Sequence, residues 1–383
     1  METSELLSII SNGEDSRHQF KADVNNIDSF AAELVAFSNT HGGIILVGVN
    51  DDGSFSGLNK ENISRLNQLI SNAASQIVRP PIHLITENIT LPEGIVMVIT
   101  VAPGISKPYM DNKGQTWVKK GADKRKVTAR EEMQRLFQES ALIHADELSV
   151  SGTSITDLDR AYFAEFFERI IGESLEKQDM SLTQLLENMN LMTADKLNIC
   201  CTLLFSQYPQ HKLPIFIVKA VALQGNDIAE QEYLDSQDIN GKMADIFQKS
   251  MNFLLSHLRH QQKSQSFNSI GQPEIPRIVL EELLANALIH RDYFISSAIR
   301  LFVFPDRIEI ISPGHLPNHL TVENIKLGNS NIRNPILASF ATRVLPYRGL
   351  GSGIIRALKA WHNITFIDDR EGNQFKAIIY RVL

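Results

Sequence analysis

At 383 residues the chain exceeds the size at which one hydrophobic core keeps growing, so two or three domains are expected. Its 43% hydrophobic and 21% charged content lies in the ordinary globular range and excludes global disorder. A net charge of −7 excludes a protein that coats nucleic acid through bulk positive charge, and leaves room only for a local basic patch.

Cys200 and Cys201 are the only cysteines, and such neighbours cannot build an ordinary disulfide framework or a four-ligand zinc site by themselves. The first residues, Met1-Glu2-Thr3-Ser4-Glu5, carry acids rather than the basic start of an export signal. No stretch reaches the roughly 18 to 20 apolar residues a bilayer requires. A cytoplasmic location with no membrane partner is therefore expected.

Along the chain, Phe30, Ala31, Leu34, Val35 and Phe37 recur at helical spacing over residues 28–39, and His41-Gly42-Gly43 stops the run. Residues 44–49 are continuously apolar and of strand length, and Asn50-Asp51-Asp52-Gly53 predicts a hairpin turn after them. A helix over about 63–77, then Pro80-Pro81 and a strand at 94–101, complete an α+β domain. Signals between 141 and 270 are mainly helical, with one strand-like run at 214–218, and the polar stretch 260–266 reads as a loop before the last domain. The last part opens with a helix from about Pro276, followed by strands at 299–304 and 307–311 joined through Pro305-Asp306. Gly349 to Gly353, a helix over 354–361 and a strand at 375–380 end the chain.

On the helix near Pro276, Leu280, Leu283, Leu284, Ala287 and Leu288 form an apolar stripe, while Glu282, Asn286 and His290 stand four residues apart on another side. An Asn carboxamide can help hold Mg2+ on a triphosphate, and a Glu can orient or deprotonate water. Short motifs of this kind are more often solvated helix faces. The loop Arg348-Gly349-Leu350-Gly351-Ser352-Gly353 precedes a helix and puts bare backbone N–H groups where phosphates could lie, although single glycine loops also serve as plain turns. It is the order of these pieces within one domain length that points to a nucleotide. His290-Arg291-Asp292 lacks the companion motifs of a kinase catalytic loop.

At these residues, together with His290-Arg291-Asp292-Tyr293, Ser312-Pro313-Gly314 and Arg333-Asn334-Pro335, the sequence resembles the GHKL (Bergerat-fold) ATPases, specifically a divergent branch (HATPase_c_4-like) found in bacterial transcriptional regulators. The resemblance implies an α/β-sandwich binding ATP, or another purine nucleotide, with Mg2+. Glu282 would be the catalytic base and Asn286 the Mg2+ ligand, with His290, Ser312, Gly314, Gly349, Gly351, Ser352 and Gly353 around the nucleotide. Ser312-Pro313-Gly314 replaces the Asp-x-Gly with which the wider group reads adenine, so binding is a firmer expectation than hydrolysis.

Glu14 through Lys21, the helix ending at Asn39 and Gly48-Val49-Asn50-Asp51-Asp52-Gly53 resemble the Schlafen AlbA-type (AlbA_2) DNA-binding domain. In that family clustered carboxylates can form a metal-dependent nuclease site. Glu14, Lys21 and Asp51 match that pattern, but Gln19 stands where a second Glu would be, and an amide holds a divalent ion poorly. The densest basic run supplies Lys119, Lys120, Lys124, Arg125, Lys126 and Arg130 as phosphate contacts beside Lys21, against the plainer reading of a solvated turn. No helix-turn-helix pattern follows Tyr380, so DNA contact is expected mainly from the first domain.

The expected architecture is an α+β multidomain chain: a Schlafen AlbA-like domain at 1–140, a mainly helical connecting region at 141–270 and a Bergerat-fold domain at 271–383. The expected function is a DNA-binding transcriptional regulator of bacterial type that binds ATP; the alternative is a nucleotide-controlled, metal-dependent nuclease acting in nucleic-acid defence. DNA, or RNA, is the expected partner, and a homodimer follows from the general prevalence of symmetric pairs.

Overall fold

The apolar run after Gly43 stays apolar at every position because both faces of its strand are covered. In the computed structural model, which describes residues 1–140, 142–229, 232–261, 271–317 and 320–382, this strand is β2 (Gly43–Val47). Ile45 and Val47 pack with Leu34, Val35, Leu66 and Ile70 on one face, while Leu46 packs with Leu6, Ile10 and Phe20 on the other. The first face is covered by helices α2 (Ile27–Asn39) and α3 (Lys60–Asn72), the second by α1 (Thr3–Asn12). With β1 (His18–Lys21), β3 (Leu84–Leu91) and β4 (Gly94–Val101), the sheet runs β1-β2-β4-β3. β1 lies parallel to β2 and the other pairs are antiparallel, with Ile45 opposite Ile99.

The turn predicted after β2 forms, with Gly53 N–H donating to Asn50 O at 2.9 Å. It does not make a hairpin: the returning chain meets β2's extension only at a Val49–Phe55 bridge, and β2 takes its ladder partner from β4. A two-stranded ribbon, β5 (Trp117–Lys120) and β6 (Asp123–Lys126), and helix α4 (Arg130–Glu139) complete this unit. Helix α2 begins at an Asn26 cap, whose side chain accepts from Ser29 N–H at 3.0 Å, and ends before Gly42, where φ is 69°. At its last residue the buried Asn39 amide donates to Tyr109 O and Trp117 O, both at 2.9 Å, which seats the ribbon.

The chain divides into two compact units, Met1–Ile143 and His144–Leu383. In the second, β7 (Val218–Leu223), β8 (Tyr233–Ile239), β9 (Ile299–Val303), β10 (Arg307–Pro313), β11 (Ile364–Asp369) and β12 (Gln374–Tyr380) form a six-stranded sheet ordered β8-β7-β9-β10-β12-β11. Only the β7–β9 pair is parallel. The residues expected as a connecting region thus contribute β7 and β8 to this sheet, and one continuous core joins Phe163, Phe205 and Met251 to Leu284, Ile310 and Ile379. The architecture is α+β, with helices α5 (Arg160–Ile171), α6 (Ile199–Phe205), α7 (Met243–Ser256), α8 (Arg277–Ile289), α9 (Pro335–Val344) and α10 (Gly353–Ala360) in this unit.

The strand expected at 214–218 begins only at Val218. Residues 213–217 instead close turns, with Phe216 N–H donating to Leu213 O, because the chain is leaving a short helix at Pro209–Lys212. The β9–β10 hairpin forms as predicted, Leu301 opposite Ile310. Of the polar stretch 260–266, residues 262–266 lie outside the described residues; His260 and Gln261 pair with Pro273 and Gln272. Both cysteines are free and buried in α6, and among the described residues no helix is long and apolar enough to cross a membrane.

Candidate functional site

Helix α8 is buried nearly all round, so its polar ridge faces a cleft rather than bulk water. That cleft encloses about 1000 Å³, including the solvent at its mouth. Glu282, Asn286, His290, Ser312, Gly314, Gly349, Gly351, Ser352 and Gly353 all line it. The strand ends of β10 and β12, the loop after β10 and the start of α10 supply the walls, with apolar Leu316, Ile325, Phe366 and Phe375 among them. An open, largely apolar cavity with a few convergent polar groups is the usual form of a small-molecule site.

The glycines have steric causes. A Cβ at Gly353 would lie 2.5 Å from Glu282 Oε2 and 3.4 Å from Asn286 Nδ2, so any larger residue at the start of α10 would displace the Glu282 carboxylate. At Gly351, φ is 69° and a Cβ would overlap the Gly328 carbonyl oxygen. The backbone N–H groups at the first turn of α10 have no partners within the helix, which together with its dipole makes them acceptors of negative charge.

Glu282 is buried and paired. Arg356, one turn into α10, donates from Nε to Glu282 Oε1 at 2.8 Å, its Nη2 lies 2.5 Å from the same oxygen as an ion pair, and its Nη1 lies 3.0 Å from Ser352 Oγ. The Asn286 side chain makes no hydrogen bond among the described residues and remains uncommitted. His290 Nε2 meets Tyr347 Oη at 3.2 Å, at the entry to the glycine loop. Burial, and next the Arg333 charge, push the His290 imidazole down to about 4, so it is neutral at pH 7. Ser312 Oγ donates to Ala287 O at 3.0 Å, and Asn334 Nδ2 donates to Ile289 O and Arg291 O at 2.8 Å each. These two side chains satisfy carbonyls that the end of α8 leaves open. Because its hydrogen goes to Ala287, Ser312 presents only lone pairs to the cleft. At Gly314, φ is 98° and a Cβ would overlap Arg333, whose Nη2 donates to His315 O at 2.7 Å.

Arg356 and Tyr347 went unmarked in the sequence. Arg356 stands four residues after Ser352, a spacing that could have flagged it as reaching back to the loop. Tyr347 carried no such signal, because its partner His290 is distant in sequence.

A nucleotide with its Mg2+ fits these residues. Mg2+ keeps most of its waters and takes one or two protein oxygens plus phosphate, and the free Asn286 carboxamide is such an oxygen.

The basic run in the first unit is divided by the fold. Lys119 is interior, with its side chain 1% exposed: Nζ donates to Gln19 Oε1 at 2.7 Å, to Glu33 Oε1 at 2.8 Å and to Ala122 O, and lies 4.8 Å from the Phe37 ring centroid. Lys124 Nζ donates to Glu33 Oε2 at 2.8 Å, and Arg125 forks onto Glu132. The expected phosphate contact from Lys119 therefore does not hold; its ammonium balances a carboxylate buried in α2. Lys120, Lys126 and Arg130 are exposed and Lys21 half-buried, and none of the four makes an ion pair among the described residues.

Burial acts to raise the Glu33 carboxyl, but the Lys119 and Lys124 ammonium groups outweigh it and hold the group below the usual carboxylate range. Gln19 is used on both ends, its Nε2 donating to Glu14 Oε1 and its Oε1 accepting from Lys119, while Glu14 Oε1 also accepts Phe20 N–H at 2.6 Å. Asp51 sits exposed in the turn after Val49. Among the described residues no three His, Cys, Asp or Glu side chains gather as a metal site, so a divalent ion of the nuclease type does not fit around Glu14 and Asp51.

The second unit is an α/β sandwich with an open cleft and the first a small α+β domain with a basic ribbon. Residues 14–128 match the Schlafen, AlbA_2 family model, and residues 296–376 match the model described as "Putative ATP-dependent DNA helicase recG C-terminal". The chain thus joins a Schlafen AlbA_2 domain to an ATPase-like domain of that second family, a nucleic-acid-related, nucleotide-binding combination. No curated protein matches it. Among solved structures, the DIP2311 protein from Corynebacterium diphtheriae aligns at 20% identity and TM-score 0.48 over 99% of this chain and 80% of that one. The N-terminal domain of a RecG-related protein from Nitrosomonas europaea aligns at 17% identity and TM-score 0.24 over 34% of this chain and 97% of that one.

Proposed function

We propose that the chain is a DNA-binding transcriptional regulator whose C-terminal domain, residues 271–383 supported by 141–270, binds ATP with Mg2+, and whose N-terminal domain, residues 1–140, contacts DNA. The observation that carries this reading is the convergence of Glu282, Asn286 and His290 with the glycine loop on one cleft. Asn286 would hold the nucleotide's Mg2+, the start of α10 would receive phosphates, and Ser312, which can only accept, would meet an amino donor such as that of adenine. Neutral His290 orders Tyr347 at the loop rather than adding charge. On the DNA side the reading rests on exposed Lys120, Lys126 and Arg130 in an otherwise acidic chain. A cytoplasmic homodimer belongs to the same proposal.

Calorimetric titration of the full chain with ATP and Mg2+ tests it. Asn286→Ala should weaken binding by about tenfold or more, about 1.4 kcal/mol. Wild type that takes up no ATP at millimolar concentration would reject the reading.

A further inference from the structure

The proposed nucleotide site holds a buried ion pair at the edge of the cleft. Glu282 lies on α8 with its side chain 5% exposed, and its Oε1 accepts from Arg356 Nε at 2.8 Å while Arg356 Nη2 lies 2.5 Å away as an ion pair. Its other oxygen, Oε2, faces Gly353 at the first position of α10. Arg356 is less enclosed, at 27%, and keeps a third contact to Ser352 on the glycine loop. The guanidinium therefore sits between a buried carboxylate and the N-terminal turn of α10, where an arriving phosphate would be received.

A guanidinium pairs with a phosphate through the same forked geometry it uses on a carboxylate, and a terminal phosphate carries more negative charge than Glu282 offers. Resting on the nucleotide reading above, we propose that Arg356 is the residue by which the site distinguishes a nucleoside triphosphate from a diphosphate. With the cleft empty it is held by Glu282; with a triphosphate bound it passes to the terminal phosphate and frees Glu282 Oε1. A diphosphate lacks that group and leaves the pair closed. Arg356 is then a specificity residue, and Glu282 its competitor for the nucleotide.

The test compares ATP and ADP affinity by calorimetry in the full chain, with Mg2+, for wild type, Glu282→Gln and the double variant Glu282→Gln with Arg356→Met. Removing the carboxylate in both variants removes its repulsion from each, so the difference between them reports Arg356's own contact with the terminal phosphate. The single variant should prefer ATP over ADP by about tenfold more than the double variant, in which the ratio falls toward one. Wild type should lie between them, because Glu282 competes. Equal ATP/ADP ratios in the two variants, with nucleotide still bound, would overturn the role of Arg356 and leave the nucleotide reading standing. Loss of all nucleotide binding in wild type would overturn both. Circular dichroism of the double variant checks its fold, and the substitution leaves no unpaired charge at the site.

Discussion

Each unit buries one helical glutamate against basic side chains, and the two pairs differ in what they leave open. Glu33 on α2 is 3% exposed and gives one oxygen to Lys119 and the other to Lys124, beneath the β5–β6 ribbon. Glu282 on α8 is nearly as buried, yet Arg356, its only cationic partner among the described residues, stands partly exposed at the edge of an open cleft. The first pair holds the ribbon to the helix. The second places a charged, movable group beside a cavity. Burial of a charge alone therefore does not mark a site; what matters is whether one partner can reach something else.

The largest expected effect breaks the comparison at Glu33. Glu33→Gln would leave the Lys119 ammonium enclosed without its counter-charge, and losing one member of a buried pair typically costs about 3 to 5 kcal/mol. The same change at Glu282 should cost under about 1 kcal/mol, because Arg356 can turn toward water. Denaturant unfolding, with hydrogen exchange read on residues 117–126, measures both. Equal losses at the two positions would show that Arg356 is as confined as Lys119.

Acid should act differently on the two units. The unfolded chain takes up the His290 proton near its ordinary 6.5, whereas the folded site refuses it until about 4. The folded state is therefore intact with respect to His290 above about 6.5 and loses stability as pH falls from there to about 4, by up to about 3 kcal/mol. Glu33, held low by its lysines, contributes fully above the ordinary carboxylate range and loses its contribution only as pH drops through its lower folded value. The C-terminal unit should weaken first on acidification, and His290→Gln should flatten that slope. An unchanged slope in the variant would remove His290 as the cause.

A smaller effect concerns the ribbon's outer side. Changing Lys120, Lys126 and Arg130 together to Ala should weaken DNA binding by about tenfold to a hundredfold at moderate salt and reduce the salt slope by about two to three. Lys119 lies outside this set because its charge is internal. DNA affinity measured across a salt series checks it, and an unchanged slope would move the contact surface elsewhere.

Much of the site was legible in one dimension. The four-residue spacing of Glu282, Asn286 and His290 fixes them to one ridge of a helix, since 3.6 residues make a turn. The glycine loop before a helix was equally legible, and the strand and hairpin pattern marked β9, β10 and β12. The apolar run at 44–49 and the Asn50–Gly53 turn likewise needed only local rules, although the turn's failure to make a hairpin did not.

What only the tertiary structure decided are partnerships between distant residues. Whether a lysine in a basic run meets phosphate or a buried Glu33 depends on a helix about ninety residues earlier folding beneath it, and no local spacing carries that distance. The same holds for Arg356 on Glu282, Asn334 and Ser312 on the end of α8, and strands β7 and β8 entering a sheet with strands from the end of the chain. Side-chain period and turn chemistry are local properties, so the sequence determines the ridge, the loop and the strands. Burial and charge pairing depend on which segments pack together, and that is settled only when the core closes.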